Sequence, residues 1–203
     1  MTTSKLPLKE KRSPPKGKPH KLMINEQDVL KIVVKKLESI GIQYMVTGSV
    51  AANFYSTPRM TRDTDIVIEI EEQDAERLFS LFSDDFYVDL EMIKDAIRRK
   101  GIFNIIHRDG IVKIDFIIRK ESEYRKLEFE RRRNIPFEGL SINVVSPEDL
   151  ILSKLDWARD SLSEMQIRDV KNLIKTVPDL DRQYIERWVK KLGLNEIYRK
   201  ATS

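Results

Sequence analysis

MVTGSVAANFYSTPRMTRDTDIVIEI, residues 45–70, holds the transitions from which the fold class can be read. The apolar residues leading to Thr47 end a short buried strand, Gln43–Thr47, closed by Gly48-Ser49. Val50–Tyr55 is short and rich in alanine, a helix whose N-terminus faces Gly48-Ser49. Pro58 stops it, since proline has no N–H to offer and its ring clashes with the preceding turn. From Asp65 to Ile70 the period becomes two: Ile66, Ile68 and Ile70 point one way, Asp65, Val67 and Glu69 the other, as in a half-buried strand. Strand, glycine, short helix and returning strand form the kernel.

Upstream, Val29, Ile32, Val33, Lys36 and Leu37 keep one face of a helix that Asn25 caps and Gly41 ends. Downstream, Glu72–Phe82 and Leu90–Lys100 are amphipathic helices, and Phe103–His107 and Ile111–Ile118 form a hairpin turned by Asp109-Gly110. Ile142–Val145 reads as a last strand. Ser146-Pro147 then places an N-cap before a proline at the first helical position, and Glu148–Trp157, Glu164–Thr176 and Arg182–Leu192 follow as helices. The predicted architecture is α+β: a mixed β-sheet flanked by helices over residues 25–146, with a helical C-terminal region over 147–203.

Composition narrows the chemistry. With 203 residues, 40% of them hydrophobic and 34% charged, the chain suits one globular domain with a helical appendage. Apolar runs such as Phe116–Ile118 and Leu150–Leu152 are far too short to span a bilayer, so no membrane association is expected. The absence of cysteine excludes disulfides, Cys-ligated metals and thiol nucleophiles, and fits a cytoplasmic protein. Two histidines, His20 and His107, leave little for a histidine metal site or a Ser-His-Asp triad. His107, beside the Asp109-Gly110 turn, and the tryptophans Trp157 and Trp188 read as structural core. The chemistry must run on carboxylates, hydroxyls, lysines and arginines.

The net charge of +4 is unevenly placed: residues 1–22 carry seven Lys/Arg against Glu10, leaving the other 181 residues at −2. That proline-rich basic tail has too few apolar residues to offset the entropy of ordering and reads as disordered. A solubilising extension and an electrostatic arm for RNA both fit it. Arg131-Arg132-Arg133 follows Glu128 and Glu130 and reads as a mixed, solvated surface.

Three carboxylates carry the chemical signal. Asp63 and Asp65, spaced i, i+2 at the mouth of a strand, project from one face. Asp115 in VKIDFII points away from the core face of Val112, Ile114, Phe116 and Ile118. If the two strands are neighbours, the three carboxylates converge, which is costly unless cations neutralise them. Hard divalent ions such as Mg²⁺ or Mn²⁺ take oxygen ligands together with substrate phosphates, and two such ions can stabilise an in-line displacement at phosphorus. Gly48-Ser49, separated from Asp63 by the thirteen residues Val50 to Arg62, lies where backbone N–H groups and a hydroxyl can hold phosphate. Arg59 and Arg62 suit triphosphate oxygens, with loop solubility as the plain alternative.

Met45-Val46-Thr47-Gly48-Ser49, then Asp63-Thr64-Asp65, then Asp115 on a later strand, resembles the nucleotidyltransferase superfamily with the DNA polymerase beta-like fold. Ser146-Pro147-Glu148-Asp149-Leu150 with Lys154 and Arg159, and then Arg168-Asp169, resembles the bacterial branch that includes abortive-infection and toxin nucleotidyltransferases. Asn172 stands where that branch has a second acidic residue. The resemblance covers roughly residues 40–175.

The resemblance implies transfer of a nucleoside monophosphate from an NTP to a hydroxyl acceptor, with release of pyrophosphate. In that scheme Gly48 and Ser49 hold the β- and γ-phosphates, and Asp63 and Asp65 carry the metal on the triphosphate. Asp115 serves a second metal and the acceptor proton. Lys154, with Arg59 or Arg62, offsets the growing charge, and Asp169 completes the pocket. Relatives modify tRNA 3′ ends, proteins or small molecules, and a toxin would be paired with an antitoxin. Lys154 and Arg159 on a solvated helix face, Asp169 as a structural partner of Arg168 or Lys154, and a catalytically idle nucleotide- or RNA-binding module of the same fold remain open alternatives.

Overall fold

A computed structural model of the chain describes residues 24–61, 63–161 and 163–202, so the basic tail and Arg62 lie outside the described residues. α1 (Glu26–Ser39) starts where the Asn25 side chain accepts the Asp28 N–H at 2.9 Å, and it buries Val29, Leu30, Val33, Val34 and Leu37. β1 (Gln43–Thr47) runs straight into α2 (Gly48–Tyr55), and a loop through Pro58 returns the chain to β2 (Asp63–Glu69). The helix expected over 72–82 opens as a 3₁₀ turn, Glu72–Asp74, because Glu71 and Asp74 cap each other's backbone N–H groups, and it continues as α3 (Ala75–Phe82).

β3 (Phe86–Tyr87), α4 (Leu90–Arg99), β4 (Ile102–His107) and β5 (Lys113–Ile118) follow. The β4–β5 hairpin is present, but its left-handed residue is Ile111, with φ of 51°, and not Gly110. Gly110 is needed for space, since a Cβ there would stand 2.9 Å from the Ile24 carbonyl oxygen. His107 is buried, accepts the Gly110 N–H at Nδ1 and packs edge-on against Phe86, a structural role as expected.

α5 (Glu123–Glu130), β6 (Arg133–Phe137), β7 (Leu140–Val144), α6 (Pro147–Ser161), α7 (Glu164–Thr176), α8 (Arg182–Lys191) and α9 (Asn195–Thr202) complete the order. Among the described residues the strands form one seven-stranded mixed sheet in the order β3-β4-β5-β2-β1-β7-β6. β1 runs antiparallel to β2 and parallel to β7, while β2 runs parallel to β5. On one face Ile66 and Ile68 of β2 and Ile114, Phe116 and Ile118 of β5 are buried, with Phe116 against Phe82 of α3. The opposite face carries Asp63 and Asp65 next to Lys113 and Asp115. α6 packs against α2, α7 and α8.

The basic run after Glu128 is not simply a solvated surface. Arg131 donates from Nε to Asp149 at 3.0 Å, and Asp149, with no exposed surface, also accepts from Ser146 Oγ and Tyr184 Oη, each at 2.6 Å. Glu128 is buried too, accepting from Ser153 Oγ at 2.5 Å and Arg125 Nη1 at 2.8 Å. These arginines hold α5 and the start of β6 against α6, and the carboxylates are affordable inside only because each has charged or hydroxyl donors. Trp157, expected in the core, is 57% exposed. No helix among the described residues is long and apolar enough to cross a membrane.

Candidate active site

Gly48, at the junction of β1 and α2, has φ of +66°, a conformation that strains any residue with a Cβ. The position is also sterically closed: a Cβ there would lie 1.9 Å from Asp65 Oδ2. The glycine therefore lets the start of α2 stand directly against the Asp65 carboxylate. Thr47 provides no side-chain cap to α2, so the first-turn N–H groups keep their capacity for an anion. Gly48→Ala should lose about 1–2 kcal/mol from the left-handed backbone. It should also displace Asp65, lowering catalysis by about 100-fold; denaturant melts and turnover on the same preparation check both parts.

Asp65 and Asp115 are direct partners across the parallel β2–β5 pair, and Asp63 is opposite Lys113. The strand adjacency on which the expected convergence depends is present, but among the described residues the three carboxylates do not gather into a ready cluster around one point. Burial, and then the negative charge of Asp115, push the Asp65 carboxyl up to about 6. Lys113, which sequence reasoning passed over, sets its ammonium 2.8 Å from Asp115 Oδ2 and 3.7 Å from Asp63 Oδ1. Its position two residues before Asp115 on the same strand face was the available signal. The hydrogen bond to Asp115 is the main reason the Lys113 ammonium is held above its ordinary value.

A chain of polar contacts leads away from Ser49. Arg59 donates from Nη2 to Ser49 Oγ at 2.5 Å and to Asp169 Oδ2 at 3.1 Å, and from Nε to Asp169 Oδ1 at 3.3 Å. Lys154 Nζ donates to the same Asp169 Oδ2 at 2.8 Å and to Gln166 Oε1 at 3.0 Å. Burial would raise the Asp169 carboxyl, but the hydrogen bonds from Arg59 and Lys154 outweigh it and hold it below the ordinary range. Burial pushes the Lys154 ammonium down, opposed by its bond to Asp169. Asn53 fixes the Arg59 backbone, bonding both its N–H and its carbonyl at 3.0 Å. No pattern in the sequence marked Asn53 or Gln166.

Gly48, Ser49, Asp65 and Lys154 line one pocket of about 170 Å³, together with Thr47, Trp157 and Gln166. Asp115 stands beside it through Asp65, and Asp169 supports it from behind Lys154. Lys154 is buried, contrary to the solvated-face alternative, whereas Arg159 is exposed and donates to the Leu192 carbonyl at 3.2 Å. Asn172 accepts the Thr176 hydroxyl through its backbone carbonyl. Arg62 lies outside the described residues.

The fold that holds this strand, glycine-opened helix and in-register carboxylate pair is like that of solved nucleotidyltransferase structures. The chain is similar to an antigenic nucleotidyltransferase-like protein from Paracoccidioides brasiliensis, at 19% identity over 85% of this chain and 91% of that one, with a TM-score of 0.51. It is also similar to a lincosamide antibiotic adenylyltransferase with lincomycin bound, at 14% identity over 76% of this chain and 99% of that one, with a TM-score of 0.52. No protein-family model and no curated protein sequence matches the chain.

Proposed function

We propose that the chain is a metal-dependent nucleotidyltransferase that moves a nucleoside monophosphate from an NTP to a hydroxyl acceptor and releases pyrophosphate. The observation that carries this reading is the Asp65–Asp115 register pair set against Gly48 at the start of α2. Among the described residues no three histidine, cysteine, aspartate or glutamate groups already surround one point. The donor set nevertheless fits a hard cation: Asp63, Asp65 and Asp115 offer only oxygen on one sheet face, the Asp65 carboxyl is raised first by burial and then by the charge of Asp115, and an ammonium already sits between Asp63 and Asp115. These three carboxylates would hold Mg²⁺ or Mn²⁺, which when bound neutralises phosphate charge and polarises the phosphorus under attack.

The chain's own groups supply the rest. The N–H groups at the start of α2 and the Ser49 hydroxyl hold phosphate oxygens, with Arg59 kept beside Ser49 by Asn53 and Asp169. The Asp115 carboxylate takes the proton of the acceptor hydroxyl as its oxygen forms a bond to the α-phosphorus and the bond to pyrophosphate breaks. Lys154 adds positive charge to the pocket it lines with Asp65. The acceptor is a small molecule, a protein or tRNA. The similar adenylyltransferase with lincomycin bound makes small molecules the first class to test. A toxin role checked by an antitoxin is a narrower form of the same reading, to be marked by growth arrest on expression of the wild type but not of Asp65→Ala. Cytoplasmic residence accords with a cysteine-free chain.

The test is incubation with Mg²⁺ and each α-³²P-labelled NTP, with total tRNA, cell extract and hydroxylated antibiotics as acceptors, comparing wild type with Asp65→Ala. Label should pass to one acceptor class with the wild type alone. Mg²⁺-dependent nucleotide binding with no label transferred to any class would favour an idle nucleotide-binding module instead.

A further inference from the structure

The face of α6 that carries Lys154 continues, three residues on, to Trp157. Both residues line the pocket that holds Gly48, Ser49 and Asp65, but they differ in exposure: Lys154 is 3% exposed and Trp157 is 57% exposed. The remaining apolar residues of this helix, Leu150, Ile151, Leu152, Leu155 and Ala158, are fully buried. Trp188, the other tryptophan of the chain, is 5% exposed and packs on Tyr124 and Tyr184. The largest apolar side chain of α6 is thus the one kept out of the core, at a pocket wall that also carries the apolar Ile117 and Leu150. Packing alone would have favoured its burial.

We propose that Trp157 is the stacking platform for the nucleobase of the donor triphosphate. This rests on the nucleotidyltransferase reading and adds to it the residue that recognises the base. The pocket lining joins the two chemistries a nucleotide needs: backbone and hydroxyl groups at Gly48 and Ser49 with the Lys154 ammonium for phosphate, and the indole of Trp157. A nucleotide combines the same two parts, a polyanion and a flat heteroaromatic ring. Aromatic stacking accepts any base because each has a π-face, so Trp157 provides affinity without a hydrogen-bonding code.

The two tryptophans make the test specific. Titrating the full chain with MgATP should quench tryptophan emission, and calorimetry should report the affinity independently. Trp157→Phe should retain affinity within about threefold, because a smaller ring still stacks, yet lose the quench, since the buried Trp188 is the remaining emitter. Trp157→Ala should bind MgATP about tenfold more weakly. Mg-tripolyphosphate, which has no base, should bind wild type and Trp157→Ala equally and quench neither. Because the side chain is mostly outside the core, both variants should melt with the wild type. Equal MgATP affinity in wild type and Trp157→Ala, or the same tenfold loss for tripolyphosphate, would overturn the stacking role while leaving nucleotide binding intact. A wild type that binds no nucleotide would instead remove the nucleotidyltransferase reading, and the stacking role with it.

Discussion

Asparagine in place of Asp115 should lower nucleotidyl transfer by about 10²–10⁴-fold, the range for loss of a positioned proton acceptor. The substitution preserves shape and hydrogen bonding but removes both the charge shared with Asp65 and the basicity needed by the acceptor hydroxyl. Phosphate contacts at Gly48, Ser49 and Arg59 lie on other elements, so NTP affinity should change little and the loss should fall on kcat. A second readout needs no substrate. Asp65 is raised from 3.8 to about 6, first by burial and then by Asp115. The folded state therefore prefers the protonated carboxyl, and the metal-free wild type should lose stability as pH rises from about 4 to 6, with no further loss from this group above that. Asp115→Asn removes the second cause, so stability should fall less across the same window, as urea melts at a series of pH values would show. Undiminished turnover would remove Asp115 from the chemistry; an unchanged pH slope would mean that burial alone sets Asp65.

The kernel from Met45 to Ile70 was legible because its physical signals are local: an apolar run, a glycine, a proline stop and a change of period. The parallel β2–β5 pairing that brings Asp65 beside Asp115 is a long-range fact. Alternation assigned each carboxylate to a face, but only the fold made those faces one. The elements the sequence hid share a different cause. β6 lies at the sheet edge, contains Pro136 and has no fully buried residue, so it lacks an apolar alternation to detect. α5 buries Tyr124, Glu128 and Phe129, with Glu128 filling a place that pattern reading reserves for apolar residues. Charge is informative in sequence only through its partners, which is why Arg131 read as surface although it serves the buried Asp149. Trp157 failed in the reverse sense: its helical spacing fits a core position, while the pocket beside it places it outward.

Methionine in place of Lys154 should destabilise the protein by about 3 kcal/mol, at the low end for breaking a buried ion pair, or about 6–12 °C in Tm for a chain of this size. The low end applies because Asp169, almost fully buried, would keep Arg59 as a partner. What is lost is the 2.8 Å bond that, with Arg59, holds the Asp169 carboxyl ionised against its own desolvation. If the pair is structural in this sense, adding Asp169→Leu to Lys154→Met should restore much of the stability, because a buried pair replaced on both sides by apolar groups leaves no orphaned charge. The coupling should be about 2 kcal/mol in a double-mutant cycle. Activity should not return with stability. Lys154 lines the same pocket as Asp65 and Ser49, and loss of its charge should keep turnover down by about 10²-fold or more in both the single and the double variant. Joint recovery would assign Lys154 to folding alone. Recovery of stability without turnover would separate the two tasks of one ammonium: holding α6 to α7 through Asp169, and offsetting negative charge where phosphate chemistry takes place.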